Sequence, residues 1–502
     1  MKVLAVLFVF VLCIDCGKKD ILPKYGIVAH VGDYAITARD FRLNYEFGFA
    51  QLKNSPNKKA SYLEYMINET LLSIEGYRLG LDKTDRVQKL EKALLENLLV
   101  EELFRIEVDK KIEITPENVK QAINKSKVKW KLKYWGVTDS FTEKHDNSFQ
   151  ADYGKDTHHS KEYETDYLTW LDIPPDLLKT IENLKIGEIS DPIEINGAYF
   201  LFQVSDLQRG GISNYDYQNT YKRFEQILFY RQLEEKTASY ISDFITQKNI
   251  ITNGNALKIL AFGLAEWKQN ENNKDTFSKA IANANETETS LWRLKNQLDD
   301  ILITFDNGQV LIKDIVKMFD PASIAADPSV RALFHNKFKK QIALTIRNHF
   351  FMKEAIAKGL HKSAAVVNQL QAWKDKWVYE EMRHVYMENI TVDDSTMKDY
   401  FKNKKARYKT LNDYDPAYND YEDQARQHTY FEKSHLFLEK KIQLLKQENT
   451  VHINDEVLDT VSVIDFKKSR WANLFLYNNS GRMTIPIIDP TWGIASIDRM
   501  QN

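Results

Sequence analysis

Ile67, Leu71, Leu72, Glu75, Gly80 and Leu81 recur as Ile346, Phe350, Phe351, Glu354, Gly359 and Leu360 at one constant offset. A match of this kind marks an internal duplication, so the chain must build one helical unit twice. The flanks agree. In the first copy, Ile27 to Thr37 reads as a hairpin around Gly32-Asp33, and Thr37 caps a helix that begins near Ala38. A helix follows over Tyr62 to Leu79, with Gly80 as its stop, then a longer one from about Arg86 to Lys110. Thr115-Pro116 starts another, with Thr as the cap and Pro in the first turn. In the second copy, Ile301 to Ile312 is a hairpin on Asn307-Gly308, and Asp314 stands where Asp40 stood. A long helix carries Trp373, Trp377, Met382 and Val385, and Val392-Asp393-Asp394 restarts a helix. The closing pieces also correspond. Tyr217 to Gln247 with Ile250-Ile251 ends the first copy, and Phe431 to Leu445 with Val451-His452-Ile453 ends the second.

The first copy carries an insert that the second lacks. Its diagnostic stretch is Leu184-Lys185-Ile186-Gly187-Glu188-Ile189-Ser190-Asp191-Pro192, followed by Asn196-Gly197 and the apolar run Tyr199 to Val204. The pattern reads as a helix end, a Gly turn, a short strand, a second turn and a buried strand. This L-K-x-G-E-I-S-x-P pattern resembles the C-terminal half of a parvulin-type peptidyl-prolyl isomerase domain, over about residues 128–208. The order of hairpin, helices, Gly-Leu and T-P-E around it resembles SurA-type and PrsA-type extracytoplasmic chaperones. In those families the N-terminal segment wraps with a helix from beyond the parvulin domain, here Tyr217 to Gln247.

The parvulin resemblance implies a His in the first strand, a His in the last, and an apolar proline pocket. In this sequence Tyr134 and Tyr199 stand nearest the two His positions. A peptide-binding role is implied for Tyr134, Trp170, Leu178 and Tyr199. Two buried tyrosines are equally well explained as core residues, and Trp170, Leu177, Leu178 and Ile181 as a packing stripe. His145, His158 and His159 fall in a polar stretch and read as solvated loop residues. With no Ser/His/Asp set, Gly-rich phosphate loop or Cys/His cluster, neither a metal nor a cofactor is expected, and no catalytic residue can be named.

The chain begins differently. Met1-Lys2 precedes an apolar run from Val3 to Ile14 that stops at Cys16. The run is too short for a mature span and fits a signal peptide. It resembles a bacterial lipoprotein signal, with Cys16 as the lipidated residue, although Cys13 and Asp15 depart from the usual pattern. Cys13 and Cys16 are the only cysteines in the chain, so a processed chain has no internal disulfide. The formal net charge of -2 gives no basic footprint for nucleic acid.

The expected architecture is α+β and predominantly helical. It comprises a signal at 1–20, a SurA-like helical segment at 21–126, a parvulin-like α/β domain at 127–210 and a completing helix at 211–264. A polar linker at 265–297 leads to a second SurA-like lobe at 298–460 and a tail at 461–502 that finds no place. The function implied is an envelope chaperone, periplasm-facing and membrane-tethered, that binds unfolded or newly exported polypeptides. An active peptidyl-prolyl isomerase with a divergent site and a structural accessory of an envelope assembly are the alternatives.

Overall fold

In a computed structural model the chain is predominantly helical, with small antiparallel sheets. The structure describes residues 26–137, 162–195, 198–270, 275–324, 327–409, 415–463 and 485–493. The signal segment with Cys16, the three loop histidines and the Asn196-Gly197 turn lie outside these residues. The chain divides into two units, residues 1–103 with 315–502 and residues 104–314. No helix among the described residues is long and apolar enough to cross a membrane.

The first unit opens with strands β1 (Ile27–Val31) and β2 (Tyr34–Thr37) and helix α1 (Ala38–Phe47). Gly32 makes the hairpin turn at φ +56°, a conformation glycine adopts without penalty. Thr37 caps α1 by accepting the Asp40 N–H at 3.1 Å. Helix α2 (Lys58–Arg78) follows, and α3 (Asp85–Glu107) comes after the turn at Gly80. Gly80 (φ 74°, ψ 21°) and its repeat mate Gly359 (φ 73°, ψ 16°) adopt the same left-handed conformation. The duplication is therefore written in the backbone as well as in the residues.

The second copy supplies α10 (Ile312–Met318), α11 (Arg331–Ala357), α12 (Ala364–Met387), α13 (Asp394–Asn403), α14 (Glu422–Glu448), strand β11 (Val451–Ile453) and α15 (Asp455–Thr460). Strand β1 pairs with β11, Ala29 opposite Ile453 and Val31 opposite Val451. Helix α2 packs on α12 and α14. Gly76 permits the approach, because a Cβ there would lie 2.6 Å from Val378 Cγ1. The core joins Val28, Phe41, Tyr62 and Leu72 from the first copy to Met382, Leu438 and Ile442 from the second. The elements that complete the first hairpin thus come from the second copy, where Tyr217 to Gln247 was expected.

The second unit holds α4 (Pro116–Lys125), capped by a Thr115–Asn118 box, and a five-stranded sheet. Its long strands β3 (Val128–Val137) and β7 (Ala198–Arg209) pair antiparallel. Strands β4 (Tyr163–Glu164) and β5 (Leu168–Thr169) pair with β3, and β6 (Ile193–Ile195) with β7. Helix α5 (Pro175–Ile181) lies between β5 and β6 in the chain. Gly187 turns at φ +86°, and its N–H meets the Val204 carbonyl at 2.9 Å, laying the Lys185–Pro192 stretch along β7. Helix α6 (Asn214–Thr246) packs on α4. Strand β8 (Ile251–Thr252) then pairs with β9 (Ile301–Phe305), which forms the second hairpin with β10 (Gly308–Leu311). Each hairpin therefore takes its third strand from the opposite copy.

Residues 265–297, read from composition as a polar linker, are a correction. Helix α7 (Gly254–Gln269) extends into them, and α8 (Phe277–Asn283) and α9 (Ser290–Asn296) follow. Phe277, Ile281 and Leu294 are buried there, beside Leu260 and Leu264 of α7. The few apolar residues of this Asn-rich stretch fall on inward positions, so its mean polarity misrepresents it. In the first unit the tail also finds a place: Ile488 and Trp492 join the core around α2.

Candidate functional site

The sheet decides which of the expected site residues can act together. Tyr134 on β3 lies opposite Phe202 on β7, and Val137 lies opposite Tyr199. Side chains alternate along a strand, so Tyr134 shares a face with Phe200 and Phe202, while Tyr199 projects to the other face. The ring of Tyr134 stacks on Tyr163 at 5.4 Å and on Phe202 at 5.8 Å. It is partly buried against the core of the second unit. Tyr199 is exposed. The two tyrosines at the expected His positions therefore cannot meet each other or one peptide carbonyl. Which face each tyrosine takes is fixed by the register of β3 against β7.

Trp170 and Leu178, in contrast, come together. Both are buried, and both border a groove of about 600 Å³ between α4, α5 and α6. Pro174-Pro175 starts α5 just after Trp170, which turns the helix stripe Leu177, Leu178 and Ile181 into the core. Trp170 stacks on Phe224 of α6 at 6.2 Å. The guanidinium of Arg231, also on α6, sits 4.2 Å from the centre of the Trp170 ring. Its Nη2 donates to the Trp170 carbonyl at 2.9 Å and to the Leu171 carbonyl at 3.3 Å. Burial pulls this guanidinium below its ordinary pKa, and the nearby Glu234 works against that shift.

The groove is apolar where Ala122, Trp170, Pro175, Leu178 and Leu228 line it. Its rim is charged. Lys125 and Glu182 form an ion pair at 2.9 Å, and Asp176, Lys179, Glu234 and Glu235 surround it. Apolar floor and mixed-charge rim suit an extended peptide with alternating apolar and polar side chains. Sequence reading did not find Arg231 or Leu228 as part of this wall. The stripe Tyr221, Phe224, Ile227 and Leu228 marks a buried face of α6, but nothing local says that Trp170 covers it. Among the described residues no cluster of His, Cys, Asp or Glu could hold a metal ion.

No protein-family model matches the chain, and no curated protein matches it. It is similar to a structure from the Campylobacter jejuni pair PEB4 and Cj1289, described as SurA-like chaperones. That match has 16% identity, covers 45% of this chain and 100% of the other, and has a TM-score of 0.21. It is also similar to the peptidylprolyl isomerase PrsA of Bacillus anthracis, with 14% identity, 36% and 96% coverage and a TM-score of 0.16. The foldase protein PrsA of Lactococcus lactis is a third, with 15% identity, 43% and 93% coverage and a TM-score of 0.15. These are likenesses of fold.

Proposed function

We propose that the chain is an extracytoplasmic chaperone that binds unfolded or newly exported polypeptides and uses its parvulin-like domain as a binding platform. The observation that carries this reading is the groove beside Trp170, with an apolar floor and charged rim that suit many extended sequences. Catalysis of X-Pro rotation needs groups that hold the twisted amide better than the planar one. Tyr134 and Tyr199 do not supply such a set, because they occupy opposite faces of one sheet. In this reading Tyr134 steadies the core face, Tyr199 offers an exposed ring, and Trp170 and Leu178 form the peptide-facing wall. Cys16 carries the lipid that tethers the chain to an envelope membrane.

The full chain is tested for suppression of aggregation of thermally unfolded citrate synthase, and for isomerisation of a proline tetrapeptide. Suppression that falls several-fold in Leu228→Asp, with no isomerisation above background, is the expected result. Isomerisation abolished by Tyr199→Ala establishes the enzyme reading in its place. Failure to suppress aggregation, with retention of one dedicated partner, sinks the general chaperone. For the anchor, the expected result is globomycin-sensitive incorporation of radioactive palmitate that is lost in Cys16→Ala.

A further inference from the structure

Residues 485–493 lie against the first unit in the manner of a bound peptide. Asn44 on α1 brackets their backbone: its Nδ2 donates to the Pro486 carbonyl at 3.0 Å, and its Oδ1 accepts the Ile488 N–H at 3.1 Å. Gln51 Nε2 donates to the Pro490 carbonyl at 3.1 Å. Glu69 on α2, itself 7% exposed, accepts the Asp489 N–H at 2.7 Å and the Trp492 indole N–H at 3.2 Å. Lys376 on α12 holds that carboxylate from the other side, at 2.7 and 2.9 Å.

Two side chains of the segment act as anchors. The Asp489 carboxylate is ion-paired with Arg383 and accepts the Tyr379 hydroxyl at 3.3 Å. The Trp492 ring is buried between Tyr65, at 6.4 Å, and Tyr379, at 6.5 Å. Asp489 also accepts the Thr491 N–H at 2.8 Å, a turn that sets the spacing between the two anchors.

The repeat supplies an internal control. At the constant offset that relates the two copies, Glu69 corresponds to Asn348 and Lys376 to Asn97. Tyr379 corresponds to Val100 and Arg383 to Phe104. The shared fold therefore does not require this polar set. The set is drawn from both copies, Glu69 from the first and Lys376, Tyr379 and Arg383 from the second, at the positions that touch the segment, and their repeat mates do not carry it.

We propose that the cleft formed by α1, α2 and α12 is a peptide-binding site that residues 485–493 occupy in cis. A free segment of the same chemistry, an Asp followed at the third position by a Trp, binds it in trans by displacing them. Backbone recognition by Asn44, Gln51 and Glu69 fixes the direction of the peptide. Arg383 selects the acid, and the tyrosine pair selects the indole. A tethered occupant is present at a high effective concentration, so the intact chain binds a free ligand weakly. The inference rests on contacts of the first unit alone and does not depend on the chaperone reading.

The test uses a fluorescein-labelled peptide spanning residues 484–493 and the full chain, read by anisotropy. In the Asp489→Ala/Trp492→Ala chain the peptide is expected to bind about tenfold or more tighter than in the wild type. A peptide with Ala at both anchor positions should show at least a tenfold loss. A double variant with an unchanged circular dichroism spectrum that fails to bind at millimolar peptide overturns the proposal. If that variant does not fold, the wild-type chain is crosslinked instead with a peptide carrying benzoylphenylalanine in place of its Trp. Adducts on Tyr65 or Tyr379 support the site, and adducts only elsewhere, or none, overturn it.

Discussion

The groove beside Trp170 and the cleft around Trp492 each present a buried indole, yet the two are completed differently. Trp170 belongs to the continuous core of its unit: it stacks on Phe224 and lies beneath Arg231, with the chain bound on both sides by β5 and α5. Trp492 arrives on a short segment, held by hydrogen bonds, one ion pair and the burial of Ile488 and Trp492 themselves, and reaches α2 from more than 400 positions along the chain. An indole woven into a core is lost only when the unit unfolds. An indole on a docked segment is lost when the segment leaves, so the docking free energy caps what its removal can cost.

That cap orders the expected stabilities. Trp170→Ala should cost about 3–5 kcal/mol, the range for deleting a buried aromatic, measured by urea denaturation of the full chain. Gly76→Ala should cost about 1–3 kcal/mol, because the new Cβ meets Val378 Cγ1 at 2.6 Å and its carbonyl at 3.0 Å between two packed helices. Trp492→Ala should cost about 1–2 kcal/mol, and less than Trp170→Ala, since undocking replaces cavity formation. Equal losses for the two tryptophans would show the tail to be ordinary core and remove the contrast between the two sites.

An effect no larger than that of Trp492→Ala is one of pH, in the second unit. Both Asp109 oxygens are buried without a hydrogen-bond partner among the described residues, and burial pushes this carboxyl up to about 6 against the pull of Arg105. A carboxyl raised above its unfolded value binds its proton more tightly in the native state. Its contribution is fully present below about pH 4 and is lost as pH rises through 6. Asp109→Asn should remove this dependence and stabilise the chain by roughly 1–2 kcal/mol at pH 7, after allowance for its partial exposure. Urea midpoints at pH 4.5 and pH 7 measure it. A wild-type minus variant difference that stays constant between the two rules it out.

Much of the chain was legible because its signals are local. Gly80 and Gly359 predict helix stops, and each takes up the left-handed turn a side chain would resist. Thr37 and Thr115 predict helix starts, and each accepts an N–H three residues on. The stretch from Gly187 to Val204 predicts an insert with paired strands, and Ser190 N–H meets the Phe202 carbonyl at 2.8 Å along β7. The site was less legible. Trp170 and Leu178 meet in one groove, but the wall opposite them belongs to α6, whose distance along the chain hides it. Tyr134 and Tyr199 stand nearest the two expected His positions in the sequence and are separated by strand parity.

Sequence alone settled that a helical unit is built twice, that one copy carries an insert with paired strands, and where most helices begin and end. These follow from periodicity, caps and turns, which act within a few residues. Tertiary structure alone decided which copy completes which. Strand β1 closes on β11 and β9 on β8, although each hairpin has a closing strand in its own copy. Repeated sequences offer each edge two nearly equivalent partners, and ladder hydrogen bonds do not distinguish them. The choice rests with nonlocal packing, such as α2 on α12 at Gly76. The same holds for Asp489 and Trp492, which acquire a role only where Glu69, Lys376, Tyr379 and Arg383 converge to receive them.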